Sequence, residues 1–212
     1  VPAHPAPAMP APGGDLDAAR GWLAGRHAPI AIAGVAAVHE DAGPAIAAFY
    51  ERHGVPLITT YKGKGLLDEE HPLALGGAGL SPRADAELKP LLAEADLILL
   101  LGYDPIEMRI GWRNPWPAGT RVVEIAPVAR THGMHAASVL LKGAVAPTLT
   151  ALSDGIAPRK TWTEGAPARV RETLAGMFAA PEAWGPAQVF ATVRAGLPKE
   201  AVATADSGAH RI

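Results

Sequence analysis

Two short segments of this 212-residue chain combine side chains able to do chemistry with a backbone that lets a ligand come close. In Thr59-Thr60-Tyr61-Lys62-Gly63-Lys64-Gly65, hydroxyls, glycine amides and two ammonium groups can together hold a phosphate or a carboxylate. The lysines can equally be solvated, with the glycines only turning the chain. In Gly102-Tyr-Asp-Pro-Ile-Glu107, Asp104 and Glu107 suit an acid/base pair, or carboxylates that cap a turn or meet Arg109 or Arg113.

Weaker candidates surround these two. His132 and His135 suit a metal if helical, but no carboxylate or third histidine lies near them in sequence, so the spacing reads as incidental. Gly34 lacks the second and third glycines of a dinucleotide fingerprint and is expected to serve a tight turn. Residues 76–82, GGAGLSP, read as glycine-rich linkage. Trp112 and Trp116, in a loop full of Pro and Gly, are expected to anchor another subunit or domain.

Whole classes of chemistry are excluded. With no cysteine, thiol nucleophiles, disulfides, thiolate zinc and iron–sulfur clusters are ruled out within this chain. Neither a phosphate-binding GxxxxGK[ST] loop nor a GxSxG nucleophile elbow occurs. Nineteen basic against 21 acidic residues leave a net charge of −2, which offers no footprint for nucleic acid or an anionic membrane. No apolar run approaches the roughly 18 residues of a membrane span, and VPAHPAPAMPAPGG lacks the basic start and apolar centre of a signal peptide. A cytoplasmic protein is expected.

The candidate residues need elements to position them, and 49% hydrophobic content is enough to bury a core. Residues 1–14 alternate Pro with small residues and read as an extended tether, and the start at Val1 suggests a piece of a longer polypeptide. Asp15 is the predicted N-cap of a helix in DLDAARGWLAGR. PIAIAG, VPLITT, DLILLLG, TRVVEI and SVLLKG read as strands, separated by helices in HEDAGPAIAAFYERHG and RADAELKPLLAEA and followed by one in APTLTALSDG. Gly54 should stop the first of these, and Pro90 should shorten or kink the second.

That alternation predicts an α/β fold over residues 15–156: a doubly wound, mainly parallel Rossmann-like sheet with helices on both faces. Ligands of such sheets lie past the carboxyl ends of the strands. Residues 157–183 read as an interdomain connector with one helix, ARVRETLAGMFA. Residues 184–212 then offer a helix, WGPAQVFATVRAGLP, and a strand, EAVATAD, as the start of a second α/β unit.

The ordered set APIAIAG, HGVPLITTYKGKGLLDEEHPLALGG, EADLILLLGYDPIE and TRVVEI resembles the central domain of thiamine diphosphate-dependent enzymes of the acetolactate synthase group. GYDPIE followed by a tryptophan is most similar to the catabolic, FAD-independent members. The resemblance implies a pyrimidine-binding domain before this one and a diphosphate-binding domain beginning at 184–212. It implies thiamine diphosphate and magnesium in the parent enzyme, a 2-oxo acid substrate, decarboxylation with acyl transfer, and a homodimer or homotetramer.

ATADSGAH is similar to the family's D-x-G-x-H loop, which implies Gly208, Ala209 and His210 near the cofactor's diphosphate, with Ala209 where the family often has glutamine. The activating glutamate and the magnesium-binding GDG…N motif would lie outside this chain. It is therefore expected to contain no catalytic residue and no metal ligand, to be inactive alone, and to bind no cofactor tightly. FAD is not expected, because GYDPIEMR and VVEIAPVA replace the segments of FAD-binding members, leaving Glu124 as the one acid to meet a ribose. The alternative, from a different class, is a stand-alone FAD-, NAD- or ADP-binding or regulatory module.

Overall fold

The computed structural model describes residues 8–108, 111–128, 133–179, 182–198 and 200–203. The chain forms two compact units, the first running to Arg171 and the second from Glu172. In the first, apolar segments too short for helices form β1 (Pro29–Ala33), β2 (Leu57–Thr60), β4 (Leu97–Leu101), β5 (Arg121–Ala126) and β6 (Val139–Lys142). Every residue of β1, β2 and β4 is buried, as expected of strands covered on both faces. A further strand, β3 (Ala74–Ala78), takes in residues 76–78, which the sequence pattern assigns to linkage. ALGGA has none of the β-branched or aromatic residues that announce a strand, and pairing with β2 at the sheet edge forms it instead.

The sheet has the order β3-β2-β1-β4-β5-β6 with every pairing parallel, the doubly wound Rossmann-like arrangement. Strand order reverses between β1 and β4, which makes their carboxyl ends the switch point of the fold.

Around the sheet lie α1 (Gly14–Gly25), α2 (Val35–His39), α3 (Gly43–His53), α4 (Pro82–Glu94) and α5 (Val145–Ser153). Gly13, and not Asp15, stands at the N-cap of α1, so Asp15 and Asp17 lie in the first turn, where they meet the positive end of the helix. Gly54 ends α3 in the left-handed conformation at φ 62°, and α4 runs through Pro90 to Glu94.

The two faces are covered differently. Side chains alternate along a strand, and Ala31, Ala33, Leu97, Leu99, Leu101, Val123 and Ile125 meet Leu23 of α1, Phe49 of α3 and Leu149 of α5 in one core. The alternate residues Ile30, Ile32, Ile98, Leu100 and Val122 are equally buried on the opposite face. There α4 supplies Leu88, Leu91 and Leu92, but among the described residues the crossovers from β4 to β5 and from β5 to β6 carry only a 3-10 turn, Pro105–Glu107. Trp112 and Trp116 complete that face, at 0% and 8% exposure. Both indoles are therefore core groups of this unit, which corrects their assignment to an interface. A loop without a helix needs large apolar side chains to cover a sheet.

The start of the predicted connector also packs on this unit. Trp162 donates from its backbone to His27 O at 2.8 Å and from its indole to Pro29 O at 2.6 Å, along the amino edge of β1. Beyond it lie α6 (Ala166–Met177) and, in the second unit, α7 (Pro186–Gly196), which buries no side chain. Residues 200–203 form no strand, and the rest of the strand expected there lies outside the described residues.

At the amino end of the first unit, Arg26, 1% exposed, donates to the carbonyls of Leu23 and His53 and to His53 Nδ1, the last two at 3.0 Å. A guanidinium can only donate, so Nδ1 accepts and the proton of neutral His53 sits on Nε2. Burial, reinforced by the charges of Arg26 and Arg52, lowers the His53 pKa from 6.5 to about 4. Between those values the unfolded chain binds the proton that the folded chain refuses, so stability is present above pH 6.5 and falls as pH drops toward 4. Urea unfolding should show a loss of roughly 2 kcal/mol from this group between pH 7.5 and pH 5, and His53→Gln should flatten that slope.

Candidate functional site

At the switch point the turns after β1 and β4 touch. A Cβ on Gly34 would lie 2.7 Å from both Gly102 O and Tyr103 Cα, and one on Gly102 would lie 2.5 Å from Ala37 N. Gly34 itself has an extended backbone at φ −116°, so close approach, and not turn conformation, demands glycine there. Gly102 needs glycine twice over, because its φ is 57°. Gly34 N donates to Leu101 O at 3.0 Å and Ala36 N to Gly102 O at 3.2 Å, which closes one turn onto the other.

Glu107 fills what remains. Only 2% exposed, it accepts from Val35 N at 3.2 and 3.3 Å, from Asp104 N at 3.3 Å and from the Thr60 hydroxyl at 2.6 Å. The donors come from the carboxyl ends of β1, β4 and β2. Asp104 accepts from Ile106 N at 3.1 Å and forms a capping box with Glu107 around the 3-10 turn, so the two carboxylates serve as caps and not as an acid/base pair. Thr60 also accepts from Gly63 N at 3.0 Å, which fixes the direction of its hydroxyl. The segment suited to a phosphate or a carboxylate does hold a carboxylate, and it is the chain's own.

The other residues singled out in that loop turn away. Lys62 is exposed, and Lys64 pairs with Glu69 at 2.8 Å on the surface. Beside the switch point, Tyr103 is buried at 1% exposure with no hydrogen-bond partner for its hydroxyl among the described residues. Burial, with the charges of Glu107, Asp104 and Glu124 adding to it, raises the phenol far above its ordinary value, so it stays protonated. Its ring lies 5.6 Å from that of His135, which also meets Trp116 at 5.1 Å. Glu124, 6% exposed, faces His135 at 3.8 Å within this packing.

Trp112 donates from its indole to Asp85 at 2.9 Å, and Asp85 also accepts from Gly79 N at 2.8 Å, which ties the loop after β4 to the start of α4. Arg113 is exposed, while Arg109, His132, Gly208, Ala209 and His210 lie outside the described residues. No three His, Asp or Glu side chains are grouped to hold a metal among the described residues, so these do not fit a metal-bridged diphosphate. A groove of about 460 Å³, lined by Asn114, Trp116, Thr120 and Ser138, lies at the amino ends of β5 and β6, the edge opposite to the switch point. At the carboxyl edge, Glu107 and the Thr60 hydroxyl face inward, while Lys62 and Lys64 face solvent.

Residues 16–152 match the sequence model of the thiamine pyrophosphate enzyme central domain. The chain belongs to that family. Among its relatives, a probable 2-ketoarginine decarboxylase of Pseudomonas aeruginosa is 36% identical over 138 residues, covering 65% of this chain and 23% of that protein. The acetolactate synthase large subunit of Mycobacterium tuberculosis is 29% identical over 212 residues, covering 95% of this chain and 36% of its own. The chain thus matches between 23% and 36% of the length of these relatives. In fold it is similar to a thiamin diphosphate-dependent enzyme from Mycobacterium smegmatis, described as putative, with a TM-score of 0.55 and 19% identity over 76% of this chain and 32% of that one.

Glu107 and Thr60 each stand out in sequence as candidates, but their pairing does not, because 47 positions separate them. Replacing that hydroxyl with a methyl tests the tie directly. Thr60→Val keeps the shape and leaves Gly63 N its bond to Thr60 O at 2.9 Å, but strips the buried Glu107 Oε2 of its short bond and leaves it only the longer one from Val35 N at 3.3 Å. It should cost about 1.5–3 kcal/mol in urea unfolding, against less than about 1 kcal/mol for Thr150→Val on the exposed side of α5.

Proposed function

We propose that this central domain is the structural middle of an acetolactate synthase-like enzyme that decarboxylates a 2-oxo acid and passes the resulting acyl unit to an acceptor. The match over residues 16–152 carries the reading, supported by relatives named as a decarboxylase, an acetolactate synthase and, in Castellaniella defragrans, a sulfoacetaldehyde acetyltransferase. In this reading residues 1–14 are a tether, 15–156 the central domain, 157–183 the connector and 184–212 the beginning of the diphosphate-binding domain. Thiamine diphosphate, held with magnesium by other parts of the enzyme, supplies the electron sink for the carbanion.

This chain supplies a rigid sheet and, through Gly208, Ala209 and His210, one edge of the diphosphate site. The enzyme is a cytoplasmic homodimer or homotetramer, and the central domain binds no FAD. A stand-alone dinucleotide-binding module has less support, because Glu107 fills the crevice that it would use.

The full-length protein, supplied with thiamine diphosphate, magnesium and a panel of 2-oxo acids including pyruvate, should release carbon dioxide. Residues 1–212 alone should show neither turnover nor a cofactor-dependent rise in Tm. In the full-length enzyme His210→Ala should raise the half-saturating thiamine diphosphate concentration about tenfold, the equivalent of one charge-assisted hydrogen bond. Failure to decarboxylate any 2-oxo acid, or turnover by residues 1–212 alone, would count against the proposal.

A further inference from the structure

We propose that Glu107 is the residue that keeps nucleotides out of this domain, its carboxylate standing where a nucleoside diphosphate would place a phosphate, an assignment that rests on reading the domain as flavin-free. In a doubly wound sheet the phosphates of a bound nucleotide enter the crevice where strand order reverses and take backbone N–H groups of the turn after the first strand. Each of those groups is already engaged. Val35 N gives to both Glu107 oxygens at 3.2 and 3.3 Å, Ala36 N to Gly102 O at 3.2 Å, and Ala37 N to Gly34 O at 3.1 Å.

Space is as limited as donors. A single methyl on Gly34 would already stand 2.9 Å from Glu107 Oε1, so no tetrahedral phosphate fits between that turn and the carboxylate. Charge acts in the same direction, because a phosphate would have to approach a carboxylate that is 2% exposed and therefore weakly screened. Nor can the side chain swing away at little cost. It belongs to the capping box of its own 3-10 turn, and the Thr60 hydroxyl that holds it at 2.6 Å is itself oriented by Gly63 N. The protein thus carries its own anion at the position where related sheets accept one from solution.

The test compares wild type, Glu107→Gln and Glu107→Ala as full-length protein, with thiamine diphosphate and magnesium saturating so that the diphosphate site elsewhere is filled. ADP and inorganic phosphate are the probes, read by calorimetry and by the shift in Tm. Wild type should bind neither at millimolar concentration. Glu107→Ala should bind ADP at least about tenfold more tightly than wild type, and its Tm should rise with phosphate. Glu107→Gln, which keeps the volume, should gain less than Glu107→Ala.

If Glu107→Ala does not fold, Glu107→Ser, whose hydroxyl keeps a partner for Thr60, carries the same comparison. ADP binding by wild type overturns both the role of Glu107 and the flavin-free reading. Folded small-residue variants that bind neither probe overturn the role of Glu107 alone and leave the flavin-free reading standing.

Discussion

A carboxylate taken out of water must find donors for its oxygens, and at the carboxyl edge of this sheet that requirement joins three strand ends. Glu107 accepts from the turn after β1, the turn after β4 and the last residue of β2, which are neighbours in the order β2-β1-β4. A hydrogen bond to a charged group contributes about 1.5–3 kcal/mol net, so the three together offset the desolvation of one buried carboxylate where any single one would not. Gly34 and Gly102 follow from the same requirement. Only with glycine at both positions do the turns come close enough for one side chain to reach all three donors.

The asymmetry of the two faces follows from how the crossovers are built. Helices α1, α3 and α5 cover one side with ordinary apolar stripes. On the other, α4 is joined by segments that have no helix among the described residues, and bulk must come from individual side chains. Trp112 supplies it while donating to Asp85, so the apolar contact and the polar anchor come from one residue. His135 occupies the space between Tyr103 and Trp116 in the same layer, and the acid expected to meet a ribose, Glu124, faces that histidine. Individual side chains thus cover this face where the described residues of the crossovers carry no α-helix.

What sequence could and could not reveal divides along the same line. The central strands were legible because PIAIA, LITT and LILLL are too short for helices and apolar throughout, a local property. Gly54 and the break at α3 were legible for the same reason. The strand β3 was not, because ALGGA has no intrinsic strand preference and owes its form to β2. Gly34 was recognised as special but for the wrong cause, since its backbone is extended and its constraint comes from Gly102 and Tyr103. The tryptophans were misplaced for a related reason: a Pro- and Gly-rich loop looks exposed until its burial against a sheet face, with no α-helix in that crossover among the described residues, is known.

The Thr60 loop shows most clearly how a sequence motif and its occupant separate. Hydroxyl, glycine amides and a turn after a buried strand are the materials of an anion site, and the fold uses them as one. A free ligand held there would have to surrender translational freedom on every binding event. A tethered carboxylate has lost that freedom already in the folding of its own turn, capped by Asp104. The outcome is a switch point whose donors are already taken by a side chain of the same chain.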